Sequence, residues 1–164
     1  HRNNFGVRWK VMEFSMKMID YSERSVLCWL ATSGLDAAPN VSPKEIFKFI
    51  NEELMLIANI ASPESERNIR INPQVCVSFI DIFEQRGFKV KGSAQVVTSS
   101  DDEWADYLTV LKELAGEGFP IKNIFEIKVK SSAKILAPSY FLFPETTTEN
   151  QRENALSTYD VKRK

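Results

Sequence analysis

Two stretches, NVSPKEIF at 40–47 and LIANIASPESERNIRIN at 56–72, decide how the chain folds. Leu54 to Ile60 is an apolar run bounded by turn-like residues, the pattern of a buried strand. It stops at Ser62, a favourable N-cap, followed by Pro63 where the first helical residue should be and Glu64 in the first turn. A helix is therefore predicted from Pro63 to about Ile71. Upstream, Asn40 to Ile50 reads as a strand with Pro43 inside it. Proline cannot donate to a sheet ladder, so a bulge, an edge or a break falls there. Strand, hairpin and short helix converge on one place.

That place suits a phosphate. A helix N-terminus offers unpaired backbone N–H groups and positive dipole potential. Ser62 and Ser65 add hydroxyl donors, and Arg67 or Arg70 adds positive charge. Lys44, which flanks Pro43 together with Ser42, is a compact cation able to meet a phosphate or to stand in water on an edge strand. Pro63 removes one N–H, and Glu64 and Glu66 repel an anion unless they face solvent. Asn59 can read the polar edge of a ligand or cap the turn. Asn68 can bond nearby backbone. Arg86, just before the next clear strand, is a second candidate cation or a turn residue in water.

The remaining chain alternates strands and helices. Phe14, Met18 and Tyr21 recur at helical spacing over Glu13 to Arg24. Ser25 to Thr32 is too continuously apolar for a strand with a wet face, and Ser33 to Pro39 reads as a hairpin connection. Gln74 to Phe83 is a further strand. Phe88, Val90, Gly92, Ala94 and Val96 share one face of the clearest period-2 strand, and Gly92 there implies close approach by backbone or by a flat ring. Ser100 to Glu103 has the capping-box pattern, and Trp104, Tyr107, Leu108, Leu111 and Leu114 form a helix face that ends at Gly116 to Pro120. Phe125 to Lys130 is a sixth strand, resuming near Ala133 to Leu136. From Glu145 the chain is polar and reads as a surface helix or an arm on a partner subunit.

The 164 residues fit one domain, large enough for a core without disulfide or metal. A net charge of −1 gives no long-range attraction for nucleic acid or an acidic membrane. No stretch approaches the roughly 20 apolar residues of a membrane span. Cys28 and Cys76 lie in apolar runs and read as buried reduced thiols of a cytoplasmic protein. His1 is the one histidine, which argues against most metal sites and histidine triads. Residues 1–11 read as an N-terminal extension ahead of Met12.

Four blocks, PNVSPKEIF at 39–47, LIANIASPESERNI at 56–69, NPQVCVSF at 72–79 and RGFKVKGSAQVV at 86–97, resemble in order and spacing those of the FMN-binding split-barrel family related to pyridoxamine 5'-phosphate oxidase. The resemblance runs from about Met12 to the end, since APSYFLFPETTTENQ at 137–151 and the terminal stretch with Tyr159 are similar to a tail in one branch. It implies a mainly β fold: a six-stranded split β-barrel with peripheral helices over 12–144, then a polar helix or arm over 145–164. It also implies a homodimer with FMN at the interface, where an exposed aromatic such as Trp29, Trp104 or Phe141 would lie. By resemblance, Ser42, Lys44, Ser65 and Arg67 contact the phosphate, while Val41, Ala58, Asn59, Ile60 and Asn68 meet the ring and ribityl edge. No catalytic side chain follows.

The expected function is an FMN-dependent oxidoreductase acting on a small-molecule substrate or electron donor. The alternatives are a non-catalytic flavin-binding or sensing protein, a deazaflavin-dependent reductase, and a barrel without flavin that acts through its dimer surface. Two departures separate the chain from the vitamin B6 enzyme. That enzyme's histidine- and arginine-containing C-terminal motif is missing, and SPES at 62–65 stands where it carries an Arg-Lys pair.

Overall fold

The structure, a computed structural model, describes residues 16–164. In chain order these form α1 (Met18–Arg24), β1 (Cys28–Ser33), β2 (Pro39–Lys44), β3 (Phe47–Asn51), β4 (Leu54–Asn59), α2 (Pro63–Ile71), β5 (Gln74–Asp81), β6 (Arg86–Val97), α3 (Trp104–Ala115), β7 (Asn123–Leu136), α4 (Ser139–Leu142) and α5 (Thr148–Tyr159). All seven strands belong to one sheet of order β2-β1-β5-β6-β7-β4-β3, and every neighbouring pair is antiparallel.

Connectivity forces this sheet to curl. Its two edge strands, β2 and β3, are separated in sequence only by Glu45 and Ile46. Lys44 and Phe47 therefore lie at most roughly 11 Å apart, whereas a flat sheet of this width would set its edges roughly 29 Å apart. At that corner the Ala58 N–H donates to the Ile46 carbonyl at 2.9 Å. Pro43 sits on the edge strand, where its missing N–H breaks no central ladder.

Curling divides the core. Leu30, Phe49, Met55, Ile57, Val77, Phe79, Val90, Phe125 and Ile127 fill one buried cluster. Leu56, Ala58, Val97, Leu111 and Ile124 form another, with Trp104, Tyr107 and Leu108 of α3 packed against it. Successive residues of β4 point to opposite faces, so Met55 and Ile57 enter the first cluster while Leu56 and Ala58 enter the second. This explains why the run 54–60 is apolar without alternation.

Several sequence expectations change in detail. Asn40 to Ile50 forms two strands, because the chain turns from one sheet edge to the other at Glu45 and Ile46, so the barrel has seven strands. The last strand runs unbroken from Asn123 to Leu136. Ser100 and Glu103 make no capping box; α3 follows a turn in which the Thr98 N–H donates to Asp101 Oδ2 at 2.7 Å. Cys28 is buried and Cys76 half-buried. Leu114 faces outward, unlike Leu111. Trp104 is half-buried against the barrel, whereas Trp29 and Phe141 are exposed. The helix expected over Glu13 to Arg24 starts at Met18, with Lys17 extended ahead of it, and Phe14 and the extension at 1–11 lie outside the described residues.

Gly92 meets backbone. A Cβ there would lie 2.4 Å from the Lys128 carbonyl oxygen, next to a register shift between β6 and β7. The polar tail folds as α5, with the reciprocal Thr147–Asn150 capping box at its start.

Candidate functional site

The corner where the chain passes from one sheet edge to the other also carries the predicted anion site. Lys44, the last residue of β2, is only 8% exposed. Its Nζ donates to Ser62 Oγ at the start of α2, and among the described residues no carboxylate forms an ion pair with it. Burial pulls its pKa below the ordinary lysine value. Burial likewise pushes the Cys28 thiol up to about 12, so it is neutral and contributes no charge. Ser62 is the residue before α2, as its sequence suggests. Its hydroxyl turns to Lys44 and makes no helix-capping bond.

Asn59 closes the turn that leads into α2. Its Oδ1 accepts from the Ser62 N–H at 3.0 Å, while its Nδ2 donates to Glu66 Oε1 at 3.1 Å and Asn123 Oδ1 at 2.8 Å. The side chain is fully buried and every polar atom on it is engaged within the protein. Of the two readings for Asn59, the structure carries turn capping.

Glu66 is the centre of this network. It accepts from Asn59, from Asn123 Nδ2 at 2.7 Å, and pairs with Lys122 and Arg70, each at 3.3 Å. The Asn123 hydrogen bond, then Lys122 and Arg70, hold its carboxyl below the usual range against the opposing effect of burial. Its charge is therefore committed. Glu64 is exposed.

Beside β2, Ser65 is buried, its Oγ 3.1 Å from Ser42 Oγ and 3.4 Å from Asn40 Nδ2. Thr32 Oγ1 accepts from both Asn40 and Asn68. Asn68 also lies close to Gly34, where a Cβ would be 2.7 Å from its Oδ1. Ser42, Ser65 and Asn68 thus lace α2 to the β1–β2 hairpin.

A cleft of about 600 Å³ opens beside Lys44 and Ser62. Ala58 and Ile60 line it, with Pro43, Ile46, Val26, Leu114 and Phe119. This size suits a cofactor-sized molecule. Val41 is exposed on the edge strand and Arg67 is exposed on α2, and neither lines the cleft. Arg86 stands elsewhere: it is buried, with its Nε 3.3 Å from Met16 Sδ and its guanidinium 5.6 Å from the ring centres of both Tyr21 and Tyr140. The β5–β6 turn carries it into that aromatic cluster, so within one chain it adds no charge to the Lys44 corner. Asn123, Lys122, Leu114 and Phe119 escape a local reading because β7 and the loop before it reach this corner only through the fold.

A curled, wholly antiparallel seven-stranded sheet with peripheral helices is the architecture of a split barrel. Residues 17–136 match the family model described as pyridoxamine 5'-phosphate oxidase, and the chain belongs to that FMN-binding split-barrel family. No curated protein matches the sequence. Among solved structures, an FMN-binding protein from Syntrophomonas wolfei is 13% identical, with 80% of this chain and 95% of that one covered at a TM-score of 0.62. An F420 reductase is 24% identical, covering 72% and 97% at 0.56. The heme storage protein HutZ from Vibrio cholerae is 21% identical, covering 74% and 95% at 0.56. These likenesses establish the fold.

Proposed function

We propose that this protein binds FMN in the cleft beside Lys44 and uses it as an oxidoreductase. The observation that carries the reading is Lys44: a buried cation, without a carboxylate partner among the described residues, placed between the barrel corner and the start of α2. Such a group is costly unless an anion meets it, and the family's cofactor supplies a phosphate. The residues fit that group, though with one cation where the vitamin B6 enzyme has an Arg-Lys pair. Ser62 orients the Lys44 ammonium toward the phosphate end. Ser42 and Ser65 hold β2 against α2, and Ala58, Ile46 and Ile60 present apolar surface to the ring and exclude water from it. Bound flavin supplies the hydride and electron chemistry. The function assigned to the chain is binding, orientation and access.

The protein acts as a homodimer on a small-molecule substrate or electron donor in this reading. No helix among the described residues is long and apolar enough to cross a membrane, and the two unbridged cysteines support a reducing, cytoplasmic setting.

The test is a visible absorption spectrum of freshly purified protein, followed by fluorescence titration with FMN if the sample is colourless. A flavin spectrum or saturable quenching supports the reading. Turnover with NADH or NADPH then separates an oxidoreductase from a flavin-binding sensor. No colour and no quenching overturns FMN and moves the assignment to a deazaflavin reductase or a module acting through its dimer surface.

A further inference from the structure

Three large apolar side chains stand exposed around the Lys44 cleft: Val26 at 79%, Leu114 at 52% and Phe119 at 57%. They come from three separate places in the chain, the approach to β1, the end of α3 and the α3–β7 loop. Isolated exposed apolar residues are ordinary, but their convergence on one concave surface marks a binding wall. Phe119 is the aromatic among them.

Its position is set by the backbone. Gly116 at φ +72° and Gly118 at φ +109° occupy the left-handed region, which turns the chain sharply after α3. The loop is tied at both ends: the Gly116 N–H donates to the Lys112 carbonyl at 3.0 Å, and the Lys122 N–H donates to the Asn59 carbonyl at 2.9 Å. The second tie is to the residue whose side chain holds Ser62 at the start of α2. The same network that holds the phosphate end of the cleft therefore holds the loop that carries Phe119. Phe119 also lines a second groove, with Thr109, Lys112 and Glu113.

We infer that Phe119 is a ligand-binding residue that covers the flavin ring, acting on the ring end of the ligand while Lys44 acts on the phosphate end. The inference rests on the flavin reading given above. The occupant it requires is a planar, largely apolar ring attached to an anionic tail. A flat ring presents the face that an aromatic side chain packs against, and Val26 and Leu114 extend the apolar wall beside it.

The test compares wild-type protein with Phe119→Ala in fluorescence titrations with FMN and with riboflavin, which keeps the ring and lacks the phosphate. Because Phe119 is exposed, its removal leaves the core intact, and an unchanged thermal melt checks this. Phe119→Ala is expected to weaken both ligands alike, by about tenfold. Phe119→Trp is expected to retain both and to quench bound flavin more strongly. Affinities within about twofold of wild type for both ligands, or weakening confined to FMN, overturn the inference and leave the flavin reading standing. Wild-type protein that binds neither ligand overturns the flavin reading and this inference with it.

Discussion

Lys44 Nζ lies against Ser62 Oγ, joining the last residue of an edge strand to the residue before α2. Ser65, in the first turn of the helix, holds Ser42 on the same strand. If this seam receives the phosphate, Lys44→Met combined with Ser65→Ala removes a charge-assisted donor and its support. Hydrogen bonds to charged groups contribute about 1.5–3 kcal/mol. FMN affinity should fall by roughly tenfold to a hundredfold while riboflavin changes little, read by parallel titrations. Equal weakening of both ligands would remove the phosphate assignment.

Burial lowers the pKa of Lys44, and the sign of the consequence is fixed. Between its depressed folded value and the ordinary 10.5, the unfolded chain binds the proton and the folded protein does not. Stability then rises with pH across that window. Urea unfolding at stepped alkaline pH should show this rise in wild type and lack it in Lys44→Met. FMN affinity should move the other way, falling as the ammonium deprotonates, while riboflavin stays level.

Asn59 offers a separate test, because its amide is consumed by Ser62, Glu66 and Asn123. Asn59→Ala leaves these buried groups short of partners, at about 1–3 kcal/mol for each one unsatisfied. The free protein should therefore lose several degrees of thermal stability before any ligand is added. A melt equal to wild type, with binding alone impaired, would return Asn59 to direct ligand contact.

The sequence made α2 legible because its signals are local: Ser62, Pro63 and Glu64 mark a helix start that the structure places at Pro63. The Phe88–Val96 alternation is equally direct. The Asn40–Ile50 stretch misleads, since nothing within it says that the chain passes from one sheet edge to the other at Glu45. Arg86 is a similar case. As a turn cation it looks available, and only the approach of Tyr21 and Tyr140 from distant segments shows its surroundings. Glu66 reads as an obstacle to an anion until Asn123 and Lys122, more than fifty residues away, are seen to hydrogen-bond it and to pair its charge. Local chemistry names the candidates, and long-range pairing decides which of them meet.

Gly92 settles between backbone and ring by experiment as well as by geometry. A Cβ there would meet the Lys128 carbonyl at 2.4 Å, and a paired strand cannot yield as a flexible side chain would. Gly92→Ala should cost about 2 kcal/mol, in the range for overpacking, and lower the melting temperature by roughly 4–8 °C. Flavin affinity of the folded protein should stay unchanged. Loss of affinity without loss of stability would instead place a ligand ring against Gly92.

The tail makes a pH-sensitive contact outside the cleft. Glu84, in the β5–β6 turn, accepts from Tyr21 Oη at 2.6 Å, Arg24 at 2.9 Å and Arg152 of α5 at 2.8 Å. Burial alone would raise its pKa, but the Tyr21 and Arg24 hydrogen bonds and the charges of Arg24 and Arg152 outweigh burial and lower it. A depressed carboxyl contributes stability that is present above its unfolded value and is lost as pH falls through the folded one. Wild type should lose stability in that acidic window, and Glu84→Gln should start lower and fall less steeply. Removing one partner of a buried pair costs about 3–5 kcal/mol, an upper bound here because Arg24 and Arg152 are partly exposed. Since Arg152 ties α5 to this turn, limited proteolysis should cut within 148–159 faster in Glu84→Gln than in wild type. An unchanged cleavage rate would mean that α5 is held by Gln151, Ala155 and the Phe83–Tyr159 ring contact without the ion pair.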